Sequence, residues 1–350
     1  MCSTLRKTLP ALLIGLALPT TVRAQDPGID AAVERIVEEI IELRHQIHQN
    51  PELGNREFMT ATLVAEHLRG LGFDEVIVDV AHTGVVGILR GGLPGDTVAV
   101  RADMDALPVT EDTPYSFAST VRTDYLGQEV GVMHACGHDV HTAVQLGVAS
   151  VLASMRSEIP GVVKFIFQPA EEGRGGARFM IEDGVLGDPD VDEIYGIHLW
   201  NYQEFGTVGV QSGPVLAAAD EFTITVKGKG GHGAVPHQTV DAVVVSGHLI
   251  TALQTIVSRN TNPLESGVVT IGQIEGGYNF NIIADKVVLK GTARAYSEAN
   301  RQMIKQRLRE TCDGIGASFA AEIVLDYVDA YPPTVNSAVQ SDKVSAAAGR

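Results

Sequence analysis

The sequence contains little cysteine and few basic residues, and each shortage excludes a class of protein. Three cysteines, Cys2, Cys136 and Cys312, are too few for a disulfide framework. The 26 Lys and Arg are outnumbered by 43 Asp and Glu, which gives a formal net charge of -17. Because nucleic-acid binding requires clustered basic residues, this balance argues against a nucleic-acid partner.

Long apolar runs are also missing. The apolar run Leu9 to Leu18 is shorter than the roughly 20 residues that cross a bilayer. Arg6 and Lys7 precede it, and small residues at positions 22 and 24 follow, which is typical of a secretory signal cleaved near Ala24. We therefore expect residues 1–24 to be a signal peptide and the protein to be periplasmic or secreted, without a stable membrane anchor. A core helix or a membrane anchor is the alternative.

The first part of the chain has the pattern of an α/β domain. A chain of 350 residues that is 45% hydrophobic can form one large or two ordinary domains. Up to residue 212, predicted strands alternate with helices, which indicates a largely parallel or mixed sheet. The predicted helices are 29–43, 60–71 and 143–155, and the predicted strands are 76–80, 85–89, 97–102, 162–167 and 193–197. Functional residues are expected where these strands end in loops.

From residue 213 the pattern changes to the order β-α-β-β-α-β. The predicted strands are 222–226, 268–274, 286–293 and 321–327, and the predicted helices are 240–257 and 300–312. This order is typical of a ferredoxin-like unit. We therefore predict an α/β domain over residues 25–212, an inserted second domain over 213–328, and a return to the first domain over 329–350.

The segment MHACGHDVHTA contains a thiol, three imidazoles and a carboxylate within eleven residues. Cys136 and His138 are separated only by Gly137, so the chain can bend and direct both side chains to one point. Thiolate and imidazole are preferred ligands of zinc and similar metals. The pair therefore predicts half of a metal site, with Asp139 accepting a hydrogen bond from a ligand imidazole.

Other readings of this segment stay open. Cys136 is also compatible with a buried apolar role, or with a disulfide to Cys312 in an oxidising compartment. A further alternative is a nucleophilic Cys136 with His138 or His141 as its base. The sequence favours metal binding, with His134 and His141 as flanking groups rather than ligands.

Acidic pairs follow two of the predicted strands. Asp103 and Asp105 lie at i and i+2 of an extended segment, so their side chains point the same way. Glu171 and Glu172 are adjacent, and buried carboxylates repel unless a cation or a proton lies between them. A metal-binding role for one Glu and proton transfer by the other would resolve the repulsion. Loops with backbone-capping Asp side chains and a solvated acidic turn are the alternatives.

Further polar residues lie at one strand end and in the second domain. His198 ends an apolar strand, where it is either a core histidine or a further ligand. The loop Lys227–His237 is rich in glycine but lacks G-K-[ST], so a flexible loop that carries His232 is favoured over a phosphate loop. Asn281 and Arg294 lie in the same domain, and Arg294 is suited to bind a carboxylate or to form a surface ion pair.

Together these segments resemble the M20 family of metallopeptidases and amidohydrolases, in the branch of N-acyl-amino-acid amidohydrolases, hippurate hydrolases and auxin-conjugate hydrolases. The segments are RADMDALP, MHACGHDVHTA, QPAEEG, the His of IHLW, GKGGHGAVPH and GTAR. The resemblance implies a catalytic α/β domain with an inserted ferredoxin-like lid that also forms a homodimer. It further implies hydrolysis of an amide bond in N-acyl-amino acids or small peptides, with release of a free amino acid.

The resemblance also implies a role for each candidate residue. It implies two divalent metal ions, zinc or manganese, with cobalt or nickel as alternatives. The implied metal ligands are Cys136, His138, Glu172 and His198. The implied catalytic residues are Glu171 as general acid and base, Asp105 as the acid that orients a ligand side chain, and His232 as the lid histidine that polarises the scissile carbonyl. The implied substrate contacts are Asn281 and Arg294.

One departure from the family pattern concerns the C-terminal part. The family takes a last metal-ligand His from a C-terminal segment, whereas all eleven histidines here lie at or before His248. We therefore expect the catalytic domain to be incomplete at its C-terminus and residues 329–350 to be a truncated return. The alternative function is that of a catalytically inactive M20-like protein, acting only as a binding or dimerising module.

Overall fold

The computed structural model describes residues 27–349. The predicted signal peptide, residues 1–24, lies outside them with Cys2 and stays a prediction. The first helices and strands form one unit, here called the five-stranded unit. Its helices are α1 (Pro27–Gln49), α2 (Phe58–Gly70), α3 (His138–Ser154), α4 (Glu171–Arg174) and α5 (Gly176–Glu182). Its strands are β1 (Glu75–Val80), β2 (Gly84–Arg90), β3 (Leu93–Asp103), β4 (Arg122–Tyr125), β5 (Gln128–Gly131), β6 (Pro160–Gln168) and β7 (Glu193–Gly196).

The sheet of this unit is mixed, with the strand order β1-β2-β6-β3-β7. β3 is parallel to both β6 and β7, so the C-terminal ends of these three strands meet at one edge of the sheet. The register aligns Asp103 with Gln168, the last residues of β3 and β6. The residues that follow these strands include both acidic pairs and His198. The edge of the sheet therefore assembles the predicted donors.

The spacing of apolar residues in α1 predicts a buried stripe at positions 29, 33, 36, 37, 40 and 41, but the face that the structure buries differs from it. Ala32 and Ile47 are buried, and Ile40 packs against Gly147 of α3, where an added Cβ would lie 3.3 Å from the Ile40 side chain. Four apolar residues of the prediction are instead exposed: Ile29, Val33, Val37 and Ile41. The spacing of apolar residues alone did not identify the contact face, because α1 carries apolar residues on two sides and α3 approaches only one.

The later part of the chain forms the four-stranded unit. Its strands and adjoining short strands are β8 (Gly213–Leu216), β9 (Ala219–Lys227), β10 (Gly231–His232), β11 (Gly267–Gly276), β12 (Ile282–Ile283), β13 (Lys286–Ala295), β14 (Glu322–Tyr331) and β15 (Thr334–Asn336). Its helices are α6 (Ala242–Thr255) and α7 (Glu298–Phe319), and α8 (Ala338–Ala348) follows. The antiparallel sheet has the order β11-β13-β9-β14. This is the ferredoxin-like arrangement, and the predicted α/β fold class is confirmed.

The two units are joined where β8 pairs with β15 in an antiparallel ladder. The two chain segments that connect the units, β8 and β15, therefore run side by side. After β15, α8 returns to the five-stranded unit, where Gln340 and Lys343 bind the carboxylate of Glu193 on the edge strand β7. The predicted division of the chain at residues 212 and 329 stays a prediction.

Among residues 27–349, one helical segment, Ala242–Asn260, is long and apolar enough to cross a membrane by length and composition. Its side chains at Val245, Leu249 and Leu253 are buried against the four-stranded sheet. This packing is that of a core helix.

A buried ion pair anchors the four-stranded unit. The Asp220 carboxylate accepts hydrogen bonds from Arg301 Nε and Nη2, both at 2.7 Å, from Tyr327 Oη at 2.8 Å, and from the Ala330 backbone amide at 3.0 Å. The Asp220 and Arg301 side chains are 1% and 8% exposed. Burial alone would raise the pKa of Asp220, but the hydrogen bonds from Arg301 and Tyr327 hold it below its usual value.

We expect Arg301→Met to lower the free energy of unfolding by about 3–5 kcal/mol, because it leaves the Asp220 carboxylate buried without its counter-charge. Urea unfolding followed by circular dichroism measures the loss. Arg307→Met is the matched control: it removes an exposed ion pair with Glu310 of the same helix, so the midpoint should hardly move. Because the pKa of Asp220 is depressed on folding, this stabilisation should be present at neutral pH. It should disappear as the pH falls below about 4.

Candidate metal centre

Gly137 sets the direction of the two central donors. Its backbone has φ 88, in the left-handed region that favours glycine, and it directly precedes α3. The helix begins at His138, five residues earlier than the predicted start at residue 143. Cys136 therefore lies before the turn and His138 in the first turn of the helix. Apolar spacing does not reveal the turn at Gly137, and it therefore predicted the later start of the helix.

The imidazole of His138 lies at the centre of the acidic pairs. His138 Nε2 is 3.6 Å from Asp103 Oδ2, and it is 4.0 Å from both Glu171 Oε2 and Glu172 Oε1. On the other side of the ring, His138 Nδ1 is 3.3 Å from Asp105 Oδ1. The structure thus brings together residues from β3, α3 and the turn after β6.

The cluster has the properties of a cation site. The His138 ring nitrogens are buried and form no well-aligned hydrogen bond with any of the described residues, while Asp103 Oδ2 is buried beside the Arg101 guanidinium. Burial lowers the pKa of His138, but Asp105, Cys136 and Asp103 outweigh it and raise the pKa to about 11. The imidazole attracts a proton strongly because several carboxylates surround it, and a divalent cation fits the same surroundings. The donor set of thiol, imidazole and carboxylate suits zinc and related metals.

Cys136 and His198 add two further donors to this set. Cys136 Sγ lies 3.5 Å from His198 Nε2. His198 Nδ1 donates to the Leu199 carbonyl at 2.7 Å, so the lone pair of Nε2 is available to a metal. Three groups of donors can each enclose an ion: Cys136, His138 and His198; His138, Glu171 and Glu172; and Asp103, His138 and His141.

Hydrogen bonds argue against His141 as a ligand in the third group. His141 Nδ1 donates to Asp103 Oδ1 at 2.6 Å, and Nε2 accepts from the Leu199 backbone amide at 2.9 Å. Both ring nitrogens are therefore used. His141 instead orients Asp103, whose other oxygen pairs with Arg101 Nη1 at 2.6 Å. This agrees with the flanking role predicted for His141.

Asp105 also holds the turn that contains the two glutamates. Its Oδ1 accepts from the Glu171 amide and its Oδ2 from the Glu172 amide, each at 2.9 Å. The same carboxylate therefore contacts His138 and fixes the backbone of both Glu residues.

The predicted role of Asp139 was wrong. Its Oδ2 accepts from His48 Nδ1 at 2.9 Å and from Arg44 Nε at 2.7 Å, so it faces α1 rather than His138. Consecutive residues of a helix point about 100° apart, and Asp139 therefore cannot share the direction of His138. Asp105 occupies the place beside the imidazole.

The two adjacent glutamates differ in their surroundings. Burial raises the pKa of Glu171 to about 7, assisted by Asp103 and Glu172 and opposed by His138 and Arg101. Burial also raises the pKa of Glu172, but the charge of His138 opposes this increase. A carboxyl group with a pKa near 7 can both take up and release a proton near neutrality.

Comparisons with known proteins bear on this cluster. The model of the peptidase family M20/M25/M40 matches residues 99–350. The chain belongs to the M20/M25/M40 peptidase family. This M20 chain is 42% identical over 315 residues to thermostable carboxypeptidase 2 of Saccharolobus solfataricus, covering 89% of this chain and 78% of the relative. It is 39% identical over 298 residues to N-acetyl-L-cysteine deacetylase of Bacillus subtilis, covering 85% and 69%.

A solved structure agrees with the family membership. The YxeP protein of Bacillus subtilis, described as a dinuclear metal-binding peptidase of the M20 family, superposes with a TM-score of 0.76 at 34% identity, covering 91% of this chain and 80% of that chain. The M20 chain is accordingly a metal-dependent hydrolase of amide bonds. The alternative of an inactive binding module finds no support in these relatives.

The residues predicted on the lid lie together only in part. His232 on β10 pairs with Ile282, which places it beside Asn281, and the Gly233 amide donates to the Asn281 carbonyl. Arg294 is exposed on β13. Within residues 27–349, no hydrogen bond or ion pair joins His232, Asn281 or Arg294 to the metal cluster.

Several polar residues around the M20 centre were not predicted. Arg101 joins Asp103 to Gln168, whose amide contacts Tyr331 Oη at 3.3 Å, so a residue at the end of β14 reaches the five-stranded unit. His48 joins Asp139 to Glu111. The sequence signal for these residues was weak, because all of these contacts except the one between Arg101 and Asp103 join residues more than 60 positions apart along the chain.

The sole tryptophan reports on this centre. Trp200 stacks on His198 with ring centroids 4.6 Å apart. We expect Ni²⁺ or Co²⁺ bound at His198 to quench Trp200 fluorescence, and a chelator to restore it, because both ions quench an indole in van der Waals contact with their ligand. His198→Asn should abolish the saturable quenching, whereas His237→Asn, at an exposed residue of the other unit, should keep it. Unchanged emission in protein that holds the ion by elemental analysis would remove His198 from the ligand set.

Proposed function

We propose that the protein hydrolyses the amide bond of N-acyl-amino acids or small peptides and releases a free amino acid. The observation that carries the proposal is the position of the Glu171 carboxyl group. Its pKa is about 7, and it lies 4.0 Å from the imidazole of His138, the ring that the candidate donor groups have in common. The names of the related deacetylase and carboxypeptidase support the choice of substrate. In both substrate types, the bond that breaks lies next to a carboxylate-bearing amino acid.

We assign the metal ligands to Cys136, His138, Glu172 and His198, which would hold two divalent ions, with zinc or manganese favoured over cobalt or nickel. Bound there, the ions would polarise the scissile carbonyl and lower the pKa of the attacking water. Support comes from the two donor groups that share His138, one with Cys136 and His198 and the other with the two glutamates, and from the dinuclear relative. Cys136 shares one donor group with two histidines, His138 and His198, and a related structure is dinuclear, which favours metal binding over a nucleophilic thiol.

Glu171 carries the proton in this proposal. Its carboxylate takes a proton from the attacking water and later donates it to the nitrogen of the leaving amine. Asp105 holds the Glu171 backbone amide and the imidazole of His138, so the distance between acid–base group and ligand is fixed before substrate binds. Asp103 and Arg101 surround the site with charges of both signs, which limits the net repulsion.

The four-stranded unit supplies the remaining contacts as the predicted lid. Asn281 and Arg294 bind the substrate, with the Arg294 guanidinium paired to the free carboxylate. His232 Nδ1 accepts a hydrogen bond from the Ala234 amide, so its Nε2 carries the proton that can be donated to the oxyanion formed at the scissile carbonyl. These residues are exposed, which leaves them accessible to a substrate or to a second subunit.

We expect Glu171→Gln to reduce kcat by about 10²- to 10⁴-fold, because the amide cannot transfer the proton. Metal content, measured by elemental analysis, should stay that of the wild type. A panel of N-acetyl- and N-benzoyl-amino acids serves as substrate, and amine release is the readout. Glu129→Gln, at an exposed residue of the β4–β5 hairpin paired with Arg122, is the control and should keep the wild-type kcat. Wild-type turnover by Glu171→Gln would show that another group carries the proton.

We also propose that the protein is a homodimer through the four-stranded unit and that His232 acts in the active site of the partner subunit. The exposure of His232, without a bond to its own metal cluster among the described residues, supports this arrangement. A symmetric dimer would give each subunit one such contact.

Mixing two inactive variants tests the arrangement. We expect Glu171→Gln and His232→Ala subunits, unfolded together and refolded as mixed dimers, to recover about a quarter of wild-type activity. Half of the dimers are then mixed, and one of their two sites has both residues. Each variant refolded alone gives the baseline. Recovery no greater than the sum of the two baselines would mean that His232 serves its own subunit.

A further inference from the structure

Glu57 is a buried carboxylate that the proposed reaction does not use. It lies at the position before α2, where an acidic side chain ordinarily accepts hydrogen bonds from the first amides of the helix. Its side chain makes no such bond. The first amides of α2, at Met59 and Thr60, are bound instead by Glu52, at 3.0 and 2.9 Å. Glu57 is fully buried, at 0% exposure, and points elsewhere.

The carboxylate of Glu57 binds the turn that precedes the two glutamates. Its Oε1 accepts from the Ala170 backbone amide at 2.8 Å, and its Oε2 accepts from Thr83 Oγ1 at 2.6 Å. Ala170 is itself 1% exposed and has φ 50, a left-handed conformation that alanine rarely adopts. The bond from Glu57 thus holds the one residue of the turn whose backbone is unfavourable.

Three consecutive amides after β6 are therefore bound by two carboxylates. Glu57 binds the amide of Ala170, and Asp105 binds those of Glu171 and Glu172. Gly54 packs closely against the turn, since an added Cβ would lie 3.1 Å from Ala170 Cα and 3.2 Å from Asp105 Oδ2. The direction of the Glu171 side chain is set by this backbone.

Thr83, the second partner of Glu57, is also held firmly. It is 2% exposed and follows Ala81 and His82, which have φ 47 and φ 88. The Ala81 amide is bound by Asp183 Oδ2 at 2.8 Å. The turn between β1 and β2 thus adopts an unfavourable backbone in which Thr83 directs its hydroxyl to Glu57.

We propose that Glu57 is a positioning residue for the reaction: its carboxylate, oriented by Thr83, holds Ala170 in the left-handed conformation and so places the Glu171 carboxylate for proton transfer. The inference rests on the proposed function, since it concerns the geometry of the same acid–base group. Glu57 itself touches neither substrate nor metal ligand side chain.

Replacement of Glu57 by Met and by Gln tests this role. Met keeps the length and most of the volume but offers no oxygen to the Ala170 amide, whereas Gln keeps an accepting oxygen and can donate to Thr83 Oγ1 through its amide nitrogen. We expect Glu57→Met to reduce kcat by about 10²-fold, because a displacement of about 1 Å has an effect of that size. KM and bound metal should stay those of the wild type. Glu57→Gln should restore kcat to within about threefold of the wild type, since a side-chain acceptor is again present.

Glu52→Met is the matched control, because Glu52 is an acid of the same segment that binds α2 and not the turn. It should lower stability while leaving kcat unchanged. A measurement that does not depend on activity is hydrogen exchange of the Ala170 amide, which should be slow in the wild type and in Glu57→Gln and faster in Glu57→Met. If the wild type hydrolyses none of the substrates, the proposed function fails, but the exchange rates still decide the positioning of Ala170.

Wild-type kcat in Glu57→Met with normal metal content would overturn the proposal, as would an equal loss in Glu57→Gln. Should Glu57→Met fail to fold, Thr83→Val decides, because it removes only the hydroxyl that orients Glu57. A fall in kcat of about threefold or more at unchanged KM and metal content supports the proposal, since the Glu57 carboxylate has then lost one of its two hydrogen-bond partners. Wild-type kcat in Thr83→Val would reject it.

Discussion

Negative charge accumulates around the ring of His138, and the surrounding structure has to compensate for it. Carboxylate oxygens of four acidic residues lie within 4.0 Å of a nitrogen of this fully buried imidazole: Asp103, Asp105, Glu171 and Glu172. In a low-dielectric site such charges repel one another strongly. Backbone amides, the Arg101 guanidinium and the cations that the site can hold each offset part of that repulsion. Because Arg101 lies near the end of β3 and these amides follow β6, the edge of the sheet and the chemistry of the site depend on the same contacts.

Local patterns in the sequence were sufficient for the donors and for the order of the elements. Cys136 and His138 around one glycine predicted a shared direction, and the left-handed Gly137 gives it to them. The β-α-β-β-α-β order after residue 213 was visible because short apolar strands such as β9, which alternates apolar and polar residues, are interspersed with longer helical segments such as α6. Both signals act over a few residues, and they are therefore readable without the tertiary structure.

Contacts between distant residues were not predictable in the same way. Asp139 follows His138 directly, but its partners Arg44 and His48 lie more than 90 residues earlier. The same is true of Glu57, which lies 113 residues before Ala170 along the chain. The exposure of four of the six predicted positions in α1 has a related cause, because apolar spacing shows that a face exists but not which neighbour covers it. The sequence thus indicated which donors lie together but not which groups hold them.

The paired strands β8 and β15 have a consequence for how this architecture can vary. Because the chain leaves and re-enters the five-stranded unit through adjacent, hydrogen-bonded residues, the four-stranded unit begins and ends at nearly one point. A segment with neighbouring ends can be lengthened, replaced or exchanged between related proteins without separating the strands on which the metal centre is built. The four-stranded unit can therefore change as one module while the hydrolytic centre is inherited intact.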